Sequence, residues 1–145
     1  MKAYVVKKKI SIKAEPSVVW NALTNPEKTK QYFFNCEVFS DWEIGSTILF
    51  TGRMFLIKKI EMKGQILQIE PNKLLKYSLE NSDDDGDESN FSTVTDKLTY
   101  RNGVTTLSIT DDVGQGEGAE ERYKRSEKGW DQILDGLKKL VESET

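Results

Sequence analysis

Histidine is absent from the 145 residues of this chain, and cysteine occurs once, as Cys36. Without histidine, the chain lacks the imidazole of a Ser-His-Asp or Cys-His nucleophilic centre and the commonest protein ligand for transition metals. A single cysteine excludes an intramolecular disulfide and any zinc site built from several cysteines. We therefore expect no metal and no other cofactor, and we expect Cys36 to be a small buried residue.

Long apolar runs and a strong excess of one charge are also missing. No apolar run approaches the roughly 18 residues that a membrane-spanning helix needs, and residues 1–9 lack the apolar segment of a signal peptide. The net charge of -3 gives no electrostatic reason to expect nucleic acid as a partner. These absences predict a cytoplasmic protein. The composition, with 37% hydrophobic and 31% charged residues, suits one globular domain over 1–145.

The segment 14–27 has the pattern of a short helix. Pro16 suits the first helical position, because its missing N–H needs no partner there. Asn25-Pro26 then breaks the helix. A shorter helical turn through Gln31 is expected to follow.

A second helical pattern covers about 119–142. Gly129 and Gly136 lie inside it, where each glycine costs about 1 kcal/mol, so we expect the sheet or another helix to approach closely at both. Apolar residues recur at helical spacing and predict the stripe that faces inward: Trp130, Ile133, Leu134, Leu137, Leu140 and Val141.

The remaining segments favour strands. Residues 2–13 form the first, and six more are expected at about 34–42, 46–53, 57–70 and 73–80 and on both sides of Asn102-Gly103. The predicted order is a strand, two short helices, a six-stranded antiparallel run and a long helix. This order indicates the α+β class, with a sheet held between helices.

Asn102-Gly103 is the strongest local signal, because Asn-Gly between two strands is typical of a type I′ hairpin turn. The turn sets a register in which Arg101 pairs with Val104, Tyr100 with Thr105, Leu98 with Leu107 and Asp96 with Ile109. Two alternating sets of side chains in this hairpin are expected on the covered face of the sheet: Val94, Leu98, Tyr100, Leu107 and Ile109.

Four segments together resemble a known family. They are Ala14-x-Pro16-x-x-Val19-Trp20-x-Ala22-Leu23-Thr24-x-Pro26-Glu27, Trp42-Glu43-x-Gly45, Ile66-x-x-Ile69-x-Pro71-x-x-Leu74 and Gly129-Trp130-x-x-Ile133-Leu134-x-x-Leu137. They are similar to segments of the family named after the C-terminal domain of the activator of the heat-shock-protein-90 ATPase. That family belongs to the START-like, birch-pollen-allergen-like (SRPBCC) superfamily, and many of its bacterial members are single domains without an assigned activity.

The resemblance covers nearly the whole chain and implies a helix-grip fold. In that fold a curved antiparallel sheet wraps around the long C-terminal helix, and the cavity between them often receives an apolar molecule. Strand phase and the helix stripe place the following residues on the cavity wall: Cys36, Val38, Phe50, Ile60, Met62, Ile66, Tyr77, Leu98, Tyr100, Trp130 and Leu134. The alternative is that the same residues form only a packed core.

Asp96 shares the alternating phase of Val94 and Leu98, where a charge is unexpected. Asp111 is its diagonal neighbour in the hairpin register. Two carboxylates in an apolar concavity would repel each other and raise one pKa toward an acid–base range, or they would bind the polar end of a ligand. The alternative is that both lie near strand ends, where water reaches them.

Two further segments have a functional and a plain interpretation. Residues 81–87 place oxygen ligands on alternate positions before a glycine, as in a calcium loop, but Ser92 stands where the bidentate glutamate should be. A solvated hairpin tip is the better interpretation. The apolar run 54–57 is either a lid or partner contact, or a strand that begins early.

The leading functional hypothesis is a non-enzymatic module that binds a small hydrophobic or amphipathic molecule between the sheet and the C-terminal helix. Tyr77, Tyr100 or Asp96 would orient the polar end of the ligand. The family name and the run 54–57 support an alternative, a stress-related module that binds a chaperone. A third hypothesis is a cyclase or isomerase that uses Asp96 and Asp111 as an acid–base pair.

Overall fold

The strands and helices follow the predicted order in the computed structural model, which describes residues 4–54, 58–81 and 91–144. The elements are β1 (Tyr4–Ile12), α1 (Pro16–Thr24), α2 (Pro26–Tyr32), β2 (Cys36–Ser40), β3 (Thr47–Met54), β4 (Lys58–Glu70), β5 (Leu74–Asn81), β6 (Phe91–Arg101), β7 (Val104–Gly114) and α3 (Ala119–Ser143). The α+β helix-grip fold is confirmed.

The seven described strands form one antiparallel sheet in the order β1-β7-β6-β5-β4-β3-β2. Consecutive strands from β2 to β7 are neighbours, whereas β1 pairs with β7, the last strand in the chain. A side-chain hydrogen bond just past the end of β1 adds to this pairing, since Thr105 Oγ1 donates to the Ala14 carbonyl oxygen at 2.7 Å. The sheet packs one face on the hydrophobic core, and β7 shows the resulting alternation of buried and partly buried residues along its length.

The Asn102-Gly103 turn has the expected left-handed backbone, with φ of 51° and 81°. The register of the β6–β7 hairpin is confirmed, including the pairing of Asp96 with Ile109. Of the five residues expected on the covered face, four are buried. The prediction for Tyr100 is wrong, because its side chain is 45% exposed. The chain just before α1 covers this end of the sheet, and the Tyr100 hydroxyl reaches outward to donate to Glu15 Oε1 at 2.9 Å.

Helix α3 lies across the covered face and buries Trp130, Ile133, Leu134, Leu137 and Val141. The close approach predicted at Gly136 is present, but the one predicted at Gly129 is wrong, because its neighbour Phe34 belongs to neither the sheet nor a helix and would be in ordinary contact with an added Cβ. A Cβ added at Gly136 would lie 3.0 Å from Tyr32 Cβ at the end of α2, and one at Gly129 would lie 3.5 Å from Phe34 Cζ.

The two short helices begin as the sequence predicts. Pro16 opens α1, and Asn25 caps α2 by accepting a hydrogen bond from the Glu27 N–H at 3.0 Å. Among the residues that the structure describes, no helix combines the length and hydropathy needed to cross a membrane.

Candidate ligand-binding site

A cavity of about 290 Å³ lies between the sheet and the N-terminal half of α3. Strands β4 to β7 supply one wall, α3 supplies another, and the residues that follow α2 close one side. Exposed Arg125 also lines the cavity, which therefore opens to the surface. The lining is mostly apolar, as is usual for ligand pockets, and includes Phe34, Met62, Leu79, Val94, Val113 and Trp130.

A smaller inner cavity of about 20 Å³ lies deeper in the core. Tyr32, Tyr77 and Asp96 are its polar lining residues. Phe33, Trp130 and Ile133 line both cavities. A space of this size has room for about one water molecule, so it is too small for an organic ligand.

Asp111 on β7 is the buried polar group of the larger cavity, with 5% of its surface exposed. Its Oδ2 accepts two hydrogen bonds from α3, one from Ser126 Oγ at 2.5 Å and one from Trp130 Nε1 at 2.9 Å. The two donors lie four residues apart, so the helix presents both on one face. The other oxygen, Oδ1, is buried and has no hydrogen-bond partner among the described residues.

Asp96 on β6 is 4% exposed and lines the inner cavity. Burial first, and the nearby charge of Asp111 second, raise the pKa of Asp96 from 3.8 to about 7. Burial also raises the pKa of Tyr77 well above its usual value, and the charge of Asp96 adds to this shift. Within the described chain, the Asp96 carboxyl makes no hydrogen bond that would offset its burial.

Two arginines of α3 contribute positive charge to the cavity lining. Arg122 is held by backbone carbonyls: its Nε and Nη2 donate to the Val113 oxygen at 3.2 and 3.0 Å, and its Nη1 donates to the Glu117 oxygen at 3.3 Å. Arg125 is exposed. No carboxylate of residues 4–54, 58–81 or 91–144 lies within ion-pair distance of either guanidinium.

Six of the twelve residues predicted for the ligand site line one of the two cavities. Phe50, Tyr77, Asp96 and Leu134 line the inner cavity, Met62 lines the larger one, and Trp130 lines both. A role for these residues in ligand binding stays a prediction.

The other six predicted residues line neither cavity. Cys36, Val38, Ile66 and Leu98 are buried in the core, Ile60 is partly buried, and Tyr100 is exposed. Their placement on the cavity wall was wrong because strand phase selects the covered face of the sheet, whereas the cavity occupies only one end of that face. Helix α2 covers β2 instead, and Thr29 Oγ1 accepts a hydrogen bond from the Val38 N–H at 3.1 Å.

Sequence reasoning missed Phe33, Phe34 and both arginines as lining residues. It also missed Ser126, although a hydroxyl one turn before Trp130 on the inward stripe was a usable signal. The alternative of solvated carboxylates at Asp96 and Asp111 is wrong, because both are buried.

The structure does not test the alternatives given for two segments, the apolar run 54–57 and the acidic loop 81–87. Residues 55–57 and 82–90 lie outside the described residues. The lid interpretation and the calcium-loop interpretation concern these residues, so both stay predictions. In the part of the chain that the structure covers, no three Asp, Glu or Cys side chains are grouped as metal ligands.

Comparison with solved structures finds the same fold along the whole chain. ChR145 from Cytophaga hutchinsonii is 34% identical, with 99% of this chain and 98% of that one covered and a TM-score of 0.77. CalU16 from Micromonospora echinospora is 22% identical, with 96% and 74% covered and a TM-score of 0.75. The Aha1 dimer from Colwellia psychrerythraea is 19% identical, with 95% and 96% covered and a TM-score of 0.70.

Comparison of sequences gives the family. No curated protein matches the chain significantly. The sequence model of the activator of Hsp90 ATPase homolog 1-like proteins matches residues 13–142. The chain therefore belongs to the activator of Hsp90 ATPase homolog 1-like family.

Proposed function

We propose that this protein is a non-enzymatic binding module that holds a small amphipathic molecule in the cavity between the sheet and α3. The observation that carries the proposal is the apolar cavity of about 290 Å³ with one buried carboxyl in its wall. Burial of apolar surface would supply the affinity: a ligand that buries about 200 Å² gains roughly 5 kcal/mol from this source. The polar groups would then fix its orientation.

The geometry favours binding over acid–base catalysis. Asp96, whose pKa is raised to about 7, lines the inner cavity, whereas Asp111 lines the larger one. A general acid or base must come within hydrogen-bond reach of the group that it protonates or deprotonates. A substrate in the larger cavity would meet only one carboxyl of the pair.

Family membership supports a chaperone as an alternative partner. This alternative predicts that the purified protein changes the ATPase rate of the heat-shock protein 90 from the same organism. An unchanged rate at saturating protein would remove it.

Tryptophan emission offers a direct test, because Trp130 lines the cavity and the other two tryptophans do not. In a double variant, Trp20→Phe with Trp42→Phe, Trp130 is the sole tryptophan and its emission is expected to change as a ligand fills the cavity. The ligand is first sought by native mass spectrometry of freshly purified protein, and then with a panel of lipids and aromatic metabolites. A ligand at 100 times its Kd should stabilise the fold by about 2.7 kcal/mol.

The same measurements define failure. If no molecule co-purifies, and if the panel changes neither the melting temperature nor the Trp130 emission, the cavity is not a binding site.

A further inference from the structure

Asp111 Oδ1 indicates the chemistry of one end of the ligand. An unpaired buried acceptor costs about 1–3 kcal/mol, and no described residue supplies a donor to this oxygen. Ser126 and Trp130 both donate to Oδ2 and so do not reach it. Asp111 lines the cavity, and Oδ1 is the oxygen of its carboxyl that no described donor holds. The group that would satisfy it is a hydrogen-bond donor.

The arginines indicate the chemistry of the other end. Arg122 and Arg125 both line the cavity, and neither has a carboxylate partner in the described part of the chain. Arg125 is exposed and marks the side that opens to the surface. Two cations at this position attract an anionic group and repel a cationic one. A neutral hydroxyl can supply the donor to Asp111 without the repulsion that these two cations would exert on an ammonium.

We propose that the cavity takes an amphipathic carboxylic acid that carries a hydroxyl group. The hydroxyl donates to Asp111 in the cavity wall, the carboxylate lies beside Arg125 at the opening, and the apolar chain or ring contacts the apolar residues of the lining. This proposal rests on the proposed function, since it names the class of ligand for the same cavity.

The donor is tested with two probes that share a ten-carbon chain, 10-hydroxydecanoic acid and 10-methoxydecanoic acid, which differ only by the methyl group on the terminal oxygen. The methoxy group accepts hydrogen bonds but donates none, so the unmodified protein should bind the hydroxy acid about 10-fold more tightly. In Asp111→Asn, the amide oxygen still accepts from Ser126 and Trp130, while an NH₂ group replaces Oδ1. The 10-fold preference should disappear or reverse.

Asp112→Asn is the matched control, because Asp112 is the next residue of β7 and is exposed. It makes the same chemical change, and the preference for the hydroxy acid should persist. The anionic end is tested with Arg125→Gln, which should weaken binding of the hydroxy acid about 2- to 5-fold and leave its methyl ester unaffected. Lys124→Gln, which changes an exposed neighbour paired with Glu120, should weaken neither.

The outcomes separate this proposal from the broader one. If the unmodified protein binds the hydroxy and methoxy acids equally, the donor is refuted while cavity binding stands. Equal affinity for the acid and its methyl ester refutes the anionic end. If no probe binds and the wider panel also fails, the binding function itself is refuted. The hydroxy and methoxy acids are compared on the unmodified protein, so this result does not depend on whether any variant folds.

Discussion

Replacing Asp96 by asparagine is expected to stabilise the protein by about 4 kcal/mol at pH 8 and to flatten its stability profile between pH 4 and 7. The reason is that the folded protein keeps the Asp96 carboxyl in the core, where burial and the charge of Asp111 raise its pKa to about 7. A rise of about three pKa units corresponds to about 4 kcal/mol. Asparagine has nearly the same shape as aspartic acid, and its side chain does not ionise.

The sign follows from proton binding. Between the unfolded pKa near 3.9 and the folded pKa near 7, the folded state keeps the proton and the unfolded state has released it. The free energy of unfolding therefore decreases as the pH rises through this window. The contribution that favours folding is complete below the unfolded pKa and is lost as the pH passes the folded pKa.

Urea unfolding at several pH values from 4 to 8 measures this effect as the difference between the variant and the unmodified protein. Other carboxyls titrate in both proteins, so the difference isolates Asp96. Asp112→Asn, which removes an exposed carboxyl from the neighbouring strand, should give a nearly constant difference. A difference that stays constant from pH 4 to pH 8 would show that the folded protein does not retain the Asp96 proton in this window.

Gly64→Ala is expected to destabilise the protein by about 3 kcal/mol or more and to lower its melting temperature by about 10 °C. Gly64 lies on β4, where the backbone of β5 comes unusually close. A Cβ at this position would overlap the carbonyl oxygen and carbon of Ser78. Both clashing atoms belong to the backbone, so the two strands would have to separate. Thermal unfolding followed by circular dichroism measures the loss.

Gly129→Ala is the contrasting substitution. Its Cβ would make an ordinary contact with Phe34, at 3.5 Å, and alanine favours a helix interior by about 1 kcal/mol over glycine. This variant should therefore be as stable as the unmodified protein or slightly more stable. Equal losses from the two alanines would mean that the close approach of β4 and β5 is not what requires Gly64.

Much of the fold was predictable because it depends on local, periodic signals. The Asn102-Gly103 dipeptide fixes a turn, and the turn fixes the β6–β7 register for nine residues of β6, Thr93 to Arg101. The stripe on α3 predicted its extent to within one residue at the C-terminal end. Each of these signals is contained in a few consecutive side chains.

The cavity was less predictable because its position depends on how α3 lies against a curved sheet. Phe34 and Asn35 have φ of 49° and 60°, a left-handed backbone that the sequence does not indicate for a phenylalanine. This conformation belongs to the segment that supplies Phe33 and Phe34 to the lining. Asp111 was recognised as out of place, but its donors on α3 depend on tertiary packing.

The pairing of β1 with β7 has a consequence for biosynthesis. Thr105 lies 91 residues after Ala14, to which it is hydrogen-bonded. At about 5–20 residues per second, a ribosome needs roughly 5–20 s to make the intervening chain. During this interval β1 has no partner strand, whereas strands β2 to β6 each pair with a strand next to them in the chain. Strand β1 carries three consecutive positive charges, on Lys7, Lys8 and Lys9. Lysine on an unpaired strand edge disfavours pairing with other nascent chains.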